Sequence, residues 1–153
     1  MHTNTTNSKK GFTIIEVLIV LAIAGLIMLI VFLAVPALNR NSRNAQRRSD
    51  AANYAAAVNE FVTNNNGRLP STAAHVTSVN SLAKMGSLTP TTGNPIAGNQ
   101  GGFTNVDQVR VVVQAVCDTA TVGETNPGSA RRFVVQYAVE NSSGTGVPQC
   151  LES

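Results

Sequence analysis

Residues 9–39 read KKGFTIIEVLIVLAIAGLIMLIVFLAVPALN, and this stretch decides the fold of the chain. Its last 23 residues carry no charge. As an α-helix they would extend about 34 Å, enough to cross a hydrocarbon core about 30 Å thick. The run is too long for a secretory signal peptide, and Asn39, Arg40 and Asn41 follow it where such a peptide has small residues. The stretch therefore predicts a helix that spans a membrane once.

The composition of the whole chain narrows the class of protein. With 153 residues, the chain has room for one domain beside this helix. Charged residues make up 12% of the sequence, which is about half the usual globular share, whereas apolar residues make up 43%. This hydrophobicity disfavours intrinsic disorder. The net charge of +3 is small and gives little support to a nucleic-acid partner.

One acidic residue, Glu16, lies near the start of the apolar run. An ionised carboxylate in hydrocarbon is strongly unfavourable unless it is paired, so an acid within a membrane span is a functional candidate. The alternative is an acid near the interface whose side chain reaches water. The sequence of this segment by itself leaves both interpretations open.

Residues 9–17 resemble the N-terminal signature of type IV prepilins and pseudopilins. The shared features are a basic pair, a glycine, a phenylalanine, a threonine, two aliphatic residues and a glutamate, followed by an apolar span. In that family a dedicated membrane peptidase cuts after the glycine and methylates the new terminal phenylalanine. The resemblance therefore implies cleavage after Gly11, N-methylation of Phe12 and a role for Glu16 in assembly.

The apolar helix departs from the family pattern at its proline. Family members commonly bend at a proline slightly earlier in the mature chain, whereas here Gly25 keeps the usual glycine position and the proline is Pro36. Pro36 has no N–H to bond the carbonyl of Phe32, so we expect a kink or local unwinding there. The helix bend is therefore assigned to Gly25 and Pro36.

The resemblance also implies an orientation and a location. The leader, residues 1–11, would be cytoplasmic, and the C-terminal domain would lie outside as part of an extracellular pilus after assembly. Lys9 and Lys10 favour this orientation, but four arginines just beyond the span disfavour it under the positive-inside rule. These are Arg40, Arg43, Arg47 and Arg48.

The same arginines have two possible roles. They could bind anionic lipid headgroups, as basic clusters beside a span do. We favour a solvated helix face that meets acids on neighbouring subunits, such as Asp50 or Glu60.

Beyond the span, the helix is expected to continue to about residue 66. Residues 50–62 are rich in alanine, the best helix former, and their apolar side chains recur with helical spacing. Asn66, Gly67 and Pro70 then form a stop signal. The expected buried stripe consists of Ala51, Ala55, Val58 and Val62, widened by Tyr54 and Phe61.

The expected parts of the chain are a leader (1–11), a membrane or filament-core helix (12–38), an amphipathic helix (39–66) and a globular head (67–153).

The sequence of the head predicts an α+β fold, and the resemblance implies that it follows the type IV pilin plan. A short helix with Ser78 as its N-cap is expected at 78–85, and the turn residues at 90–102 predict a surface loop. Alternating apolar residues predict half-buried strands at 108–117 and 131–140, with a third strand near 147–151. These strands would form an antiparallel sheet on the second half of the long helix. The inward faces would be Val109, Val111, Val113 and Ala115 in the first strand and Phe133, Val135, Tyr137 and Val139 in the second.

Cys117 and Cys150 are the only two cysteines. A redox pair would more often have two residues between its cysteines, and a pair of free buried thiols is the other alternative. Because the resemblance implies export, we expect a disulfide, worth about 3–4 kcal/mol in the chain-entropy model. It would enclose residues 118–149, much as many pilins have a disulfide-bounded loop near the C terminus.

The sequence contains no recognisable catalytic set, so we expect no enzymatic activity. His2 lies in the leader and His75 has no second histidine near it, so neither a metal site nor a cofactor is expected. Residues 98–102 contain three glycines, but no helix signal follows them, which predicts a loop and not a phosphate site. Arg131 and Arg132 could touch DNA, although neighbouring residues of a strand point to opposite faces.

These features predict a type IV pilin subunit that polymerises with copies of itself. Its other partners would be the prepilin peptidase, the pilus assembly machinery and, before assembly, the membrane. Adhesion, twitching motility and DNA uptake are the activities that such a filament implies. A type II secretion pseudopilin is the second hypothesis, and a minor pilin that binds DNA or a surface ligand is the third.

Overall fold

A computed structural model describes residues 11–153 of the chain. Lys9, Lys10, His2 and nearly all of the expected leader lie outside the described residues. The chain divides into two compact units, with the boundary between Leu38 and Asn39.

The long helix α1 (Ile14–Asn64) contains Pro36, and every residue around this proline is helical. The expected local unwinding at Pro36 is therefore not seen, while a bend there stays a prediction. The helix ends because Asn66 and Gly67 adopt left-handed conformations, with φ of 55° and 78°. The Gly67 N–H donates to the Val62 carbonyl, which satisfies one of the last free acceptors of the helix.

The second part of α1 buries one face in the head. This face has the expected helical spacing, but it also includes two charged residues that the sequence pattern did not indicate. Ala55 and Val62, expected in the centre of the stripe, are only half-buried at its side. The buried residues are Arg47, Asp50, Ala51, Tyr54, Ala57, Val58 and Phe61.

The short helix α2 (Ala73–Leu82) begins five residues before the position expected from the sequence. Thr72 is the N-cap, since its side chain accepts a hydrogen bond from the His75 N–H at 3.3 Å. Ser78, which we expected to be the cap, lies inside the helix and donates to the Ala74 carbonyl. The predicted start at Ser78 was therefore wrong, because Thr72 is also a favourable cap and lies earlier in the chain.

Within residues 11–153, seven strands form two sheets. They are β1 (Thr89–Pro90), β2 (Ile96–Ala97), β3 (Gln108–Val113), β4 (Ala115–Cys117), β5 (Thr125–Pro127), β6 (Phe133–Glu140) and β7 (Gly146–Glu152). The larger sheet has β3, β6 and β7 as antiparallel neighbours, as expected. The two-residue strands β1 and β2 pair with β3 in parallel, so this sheet is mixed and not purely antiparallel. The strand β2 lies within the segment that we expected to be a loop throughout.

The expected strand at 108–117 breaks at Gln114, whose φ is 53°. The Gln114 N–H donates to the Arg132 carbonyl, and its own carbonyl accepts from the Gly128 N–H. The chain thereby leaves the large sheet, and β4 pairs with β5 in a separate two-stranded sheet.

This break changes which face the following residues occupy. Val113 packs in the core cluster that includes α1, whereas Ala115 packs with Val112 and Val134 on the other face of the sheet. The prediction that Ala115 continues the inward face of β3 is therefore wrong, because simple alternation cannot pass through a residue with positive φ.

The strand β6 is buried on both faces, although its alternation predicted a half-buried strand. One face carries the four predicted core residues, and all of them pack with α1 in the main cluster. On the other face, the side chain of Gln136 is fully buried. Its amide donates to the carbonyls of Gly123 at 2.7 Å and Gly101 at 3.3 Å. The segment enclosed by the two cysteines therefore covers the face that alternation assigns to solvent.

Candidate functional site

The first part of α1 exposes a continuous apolar surface. Phe12 is 90% exposed, and every large apolar side chain from Ile14 to Leu38 is at least 45% exposed. A soluble monomer rarely exposes so large a contiguous apolar area. By length and composition, this helix could cross a membrane. Its position near the N terminus fits a membrane-anchored precursor.

Glu16 caps the N-terminal end of this helix. Its Oε2 atom accepts hydrogen bonds from the Thr13 N–H and from the Thr13 hydroxyl, both at 2.8 Å. The Glu16 N–H in turn lies 3.4 Å from Thr13 Oγ1. This reciprocal arrangement is a capping box, and its sequence signal is the Thr-x-x-Glu spacing before an apolar run. Neither of the two interpretations of Glu16 from its sequence position considered that signal.

The capping box uses only one of the two carboxylate oxygens. Both bonds from Thr13 end on Oε2, and among the described residues no donor bonds Oε1 of Glu16. A carboxylate has about four lone-pair sites, so Oε1 can accept a bond from a second chain while Oε2 still caps the helix. Local capping and pairing between subunits are therefore compatible.

The arginines just beyond the span contact the head of their own chain. Arg47 is 6% exposed at its side chain and donates to Glu140 Oε1 at 2.8 Å and to the Val106 carbonyl at 2.7 Å. Arg43 donates to Glu140 Oε2 at 2.7 Å. The hydrogen bonds from Arg43 and Arg47 hold the pKa of Glu140 below its usual value. The expected solvated basic face is thus wrong for Arg47, whose acid partner lies in the same chain.

Asp50, one of the two acids expected to meet arginines of neighbouring subunits, is also used within the head. Its carboxylate accepts hydrogen bonds from the backbone N–H groups of Gly86, Ser87 and Leu88 and from the Ser87 hydroxyl. Burial alone would raise the pKa of Asp50, but these donors outweigh it and the pKa is lowered. Asp50 fastens the loop after α2 to α1 and is not available to another subunit.

The expected disulfide is present between Cys117 and Cys150, with a Cα–Cα distance of 5.8 Å. It joins the end of β4 to the edge strand β7. Its two side chains pack against the small apolar cluster that contains Val112 and Val134. The disulfide therefore holds the enclosed segment over the outer face of the sheet.

The other residues singled out in the sequence serve local structure or remain exposed. His75 Nδ1 accepts from the Ser71 N–H at 3.2 Å, and its ring lies 5.3 Å from that of Phe61. Within residues 11–153 there is no group of three or more potential metal ligands among His, Cys, Asp and Glu. Arg132 pairs with Glu152 at 2.7 Å, whereas its neighbour Arg131 is exposed.

Comparison with protein families gives a match at the N terminus. Residues 6–32 match the family model described as the prokaryotic N-terminal methylation motif. Comparisons with curated proteins and with solved structures found no significant match. The matched residues include Gly11, Phe12 and Glu16 and most of the exposed apolar helix.

Proposed function

We propose that this chain, which carries the prepilin-type N-terminal signature of type IV pilins and pseudopilins, is a structural subunit of a surface pilus. A prepilin peptidase would cleave between Gly11 and Phe12 and methylate the new N terminus. The mature chain would then polymerise with copies of itself outside the cell. The observation that carries this proposal is the apolar part of α1, in which every large side chain is exposed.

The exposed apolar surface of α1 must be shielded from water both before and after assembly. Before assembly the cover is lipid, and after assembly it is the same helix of neighbouring subunits. Lipid tails are as apolar as leucine, so exchanging lipid for protein contacts provides little selectivity for one arrangement. The selectivity must therefore come from polar groups within the apolar segment, and Glu16 is the charged residue there.

Cleavage supplies a partner for this carboxylate. It creates an α-amine at Phe12, which is protonated near neutral pH because free α-amines titrate at about pH 8. In an assembling filament, the amine of an incoming subunit would meet Oε1 of Glu16 in a subunit already assembled. An unpaired charge in an apolar setting is unfavourable, so this pair would select the correct axial offset between helices.

A type II secretion pseudopilin carries the same N-terminal motif and is the second candidate. The disulfide over the outer face of the sheet favours the pilus, because disulfide-crosslinked domains are typical of proteins that are exposed outside the cell. A minor pilin that binds DNA or a surface ligand is the third candidate, and Arg131 is the exposed cation that supports it.

Electron microscopy of cells lacking this chain tests the proposal. If the chain is a major subunit, these cells should lack all filaments of one type. Reintroducing the wild-type gene should restore those filaments. Filaments that persist while DNA uptake or adhesion is lost would indicate a minor pilin. Intact filaments together with a defect in protein secretion would indicate the pseudopilin.

A further inference from the structure

An open cavity of about 650 Å³ lies at the C-terminal end of α1. Its volume is within the range of about 300–1,000 Å³ that is typical of small-molecule sites. Part of the lining is apolar and comes from residues such as Pro70 and Pro95. The polar lining includes Asn66, Ser71 and Gln114. The filament proposal assigns no role to this cavity.

Two arginines without partners line the cavity. Arg68 and Arg131 are both exposed, and in the described part of the chain neither side chain makes an ion pair or a hydrogen bond. Other arginines of the head are engaged: Arg47 binds Glu140, for example, and Arg110 binds Gln136. Two of the residues that line the cavity therefore carry guanidinium groups that are free to bind an anion.

The backbone at Gln114 gives a second, independent indication. Gln114 has a φ of 53°, and glutamine gains none of the local stabilisation that lets asparagine adopt this conformation. Glycine would make the same turn from β3 to β4 without strain. A residue with a polar side chain is nevertheless present, and it is one of the residues that line the cavity. Unfavourable backbone conformations are concentrated at binding sites, which suggests that this amide has a ligand.

We propose that this cavity binds an acidic sugar through its carboxylate and hydroxyl groups. Guanidinium groups match carboxylates in planar, charge-assisted hydrogen bonds, which assigns the carboxylate to Arg68 and Arg131. The amides of Asn66 and Gln114 and the Ser71 hydroxyl match the hydroxyls of the ring. Among the residues that the structure describes, no aromatic one lines the cavity, so they provide no platform for the base stacking that binds single-stranded nucleic acid.

The test is calorimetric titration of the full chain in detergent micelles with glucuronate, glucose and inorganic phosphate. Glucuronate should bind saturably, and both glucose and phosphate should bind at least about tenfold more weakly, because each lacks part of the recognised group. Equal binding of glucuronate and phosphate would reduce the site to a general anion site and overturn the proposal. Binding of a single-stranded oligonucleotide in preference to glucuronate would overturn it as well.

Variants separate binding from folding. Arg68→Gln and Arg131→Gln should each weaken glucuronate binding about tenfold, since each removes a charged donor. Lys84→Gln removes the same charge from an exposed residue outside the cavity and should leave the affinity unchanged. Gln114→Gly should weaken binding while the melting temperature stays equal or rises, because the strain is relieved. Unchanged affinity in Arg131→Gln, or an equal loss in Lys84→Gln, would contradict the site. These outcomes do not depend on whether the chain forms filaments.

Discussion

Glu16 joins local structure to the proposed assembly within one side chain. Its Oε2 caps α1 through Thr13, and its Oε1 remains for a second donor. A variant that removes the whole carboxylate therefore loses both functions. A variant that keeps the hydrogen-bonding group without the charge loses only the pairing with the amine.

We predict that Glu16→Ala is exported, cleaved and anchored in the membrane but builds few or no filaments. The matched variant is Glu16→Gln, because glutamine can replace glutamate in a capping box. If charge pairing selects the register, Glu16→Gln should be as defective as Glu16→Ala, and Glu16→Asp should assemble partially. The measurement is the ratio of sheared filament to membrane-bound subunit. Normal assembly of Glu16→Gln would show that capping, and not charge, is the requirement.

Arg43 and Arg47, two of the arginines just beyond the span, both donate hydrogen bonds to Glu140. Glu140→Gln leaves the buried Arg47 with the exposed carboxylate of Asp107, at 3.7 Å, as its remaining counter-charge. One amide oxygen of the glutamine can still accept a hydrogen bond. Removing one partner of a buried pair costs about 3–5 kcal/mol. Because the amide oxygen and Asp107 still face Arg47, we predict a loss of about 2–4 kcal/mol in the free energy of unfolding of the head. Chemical denaturation of the full chain in micelles measures it, with Glu60→Gln at an exposed position of the same helix as the control. A loss no larger than that of the control would show that the pair contributes little.

The lowered pKa values of Glu140 and Asp50 predict the acid response of the head. A carboxyl whose pKa is lower in the folded state contributes stability above its unfolded pKa of 4.5 or 3.8, respectively. That stability is lost as the pH falls through the folded value. The melting temperature should therefore be flat near neutral pH and fall below about pH 4. Asp50→Asn and Glu140→Gln should each flatten this acid limb, whereas an unchanged limb in both variants would assign it to other groups.

At the scale of elements, periodic apolar patterns predicted the long helix and the longer strands correctly, whereas interruptions of those patterns were not predicted. The apolar helix, the core face of β6 and the edge strand β7 follow from periodicity, and the structure has all three. The break at Gln114 could not be predicted, because a run of valines followed by glutamine has no turn signal. The start of α2 was misplaced because both Thr72 and Ser78 are good caps.

The polar contacts of α1 were also beyond prediction from the sequence. The charges of Arg47 and Asp50 favour exposure, yet both side chains are buried and continue the helical spacing of the apolar face. Their partners, Glu140 and the N–H groups after α2, are far away in the chain. Such long-range pairs leave no local pattern. In contrast, the capping box at Thr13 and Glu16 is local, so it could have been predicted from the Thr-x-x-Glu spacing in the sequence.

The turn inside the disulfide loop offers a test of how closely it packs on β7. Gly123 and Gly144 have nearly equal positive φ values of 81° and 78°. A Cβ at Gly123 would collide with Pro148, whereas a Cβ at Gly144 would meet open space. Gly144→Ala should therefore cost only the strain of about 1–2 kcal/mol, and Gly123→Ala clearly more. The two free energies of unfolding, measured in denaturant, check this difference. Equal losses would mean that the loop can move away from β7.

At the scale of the whole molecule, the disulfide ties the chain's outer segments to the sheet. Cys117→Ser should destabilise the head by about 3–4 kcal/mol, because the crosslink restricts the unfolded chain. Cleavage after Gly11 should be unaffected, since the two regions are separate compact units. Protein from the cell surface should take up thiol label at Cys117 and Cys150 only after reduction. Full labelling without reductant would mean that the bond does not form outside the cell.

The proposed assembly pathway has two stages, a membrane-anchored precursor and a polymer. Cleavage after Gly11 separates these two stages. The exposed apolar helix supports both stages, because lipid and neighbouring helices can each cover it. The new amine at Phe12 exists only after cleavage. The precursor would therefore lack the group that we propose as the partner of Glu16, and we expect it to remain in the membrane without assembling.

The intact mass of the protein in filaments sheared from the cell surface tests this account most directly. The account predicts that the chain is a principal component of the filaments and that it begins at N-methylated Phe12. It also predicts that uncleaved protein is confined to the membrane fraction. Filaments without this chain, or filaments built from a chain that still carries residues 1–11 in cells with an active peptidase, would contradict the account.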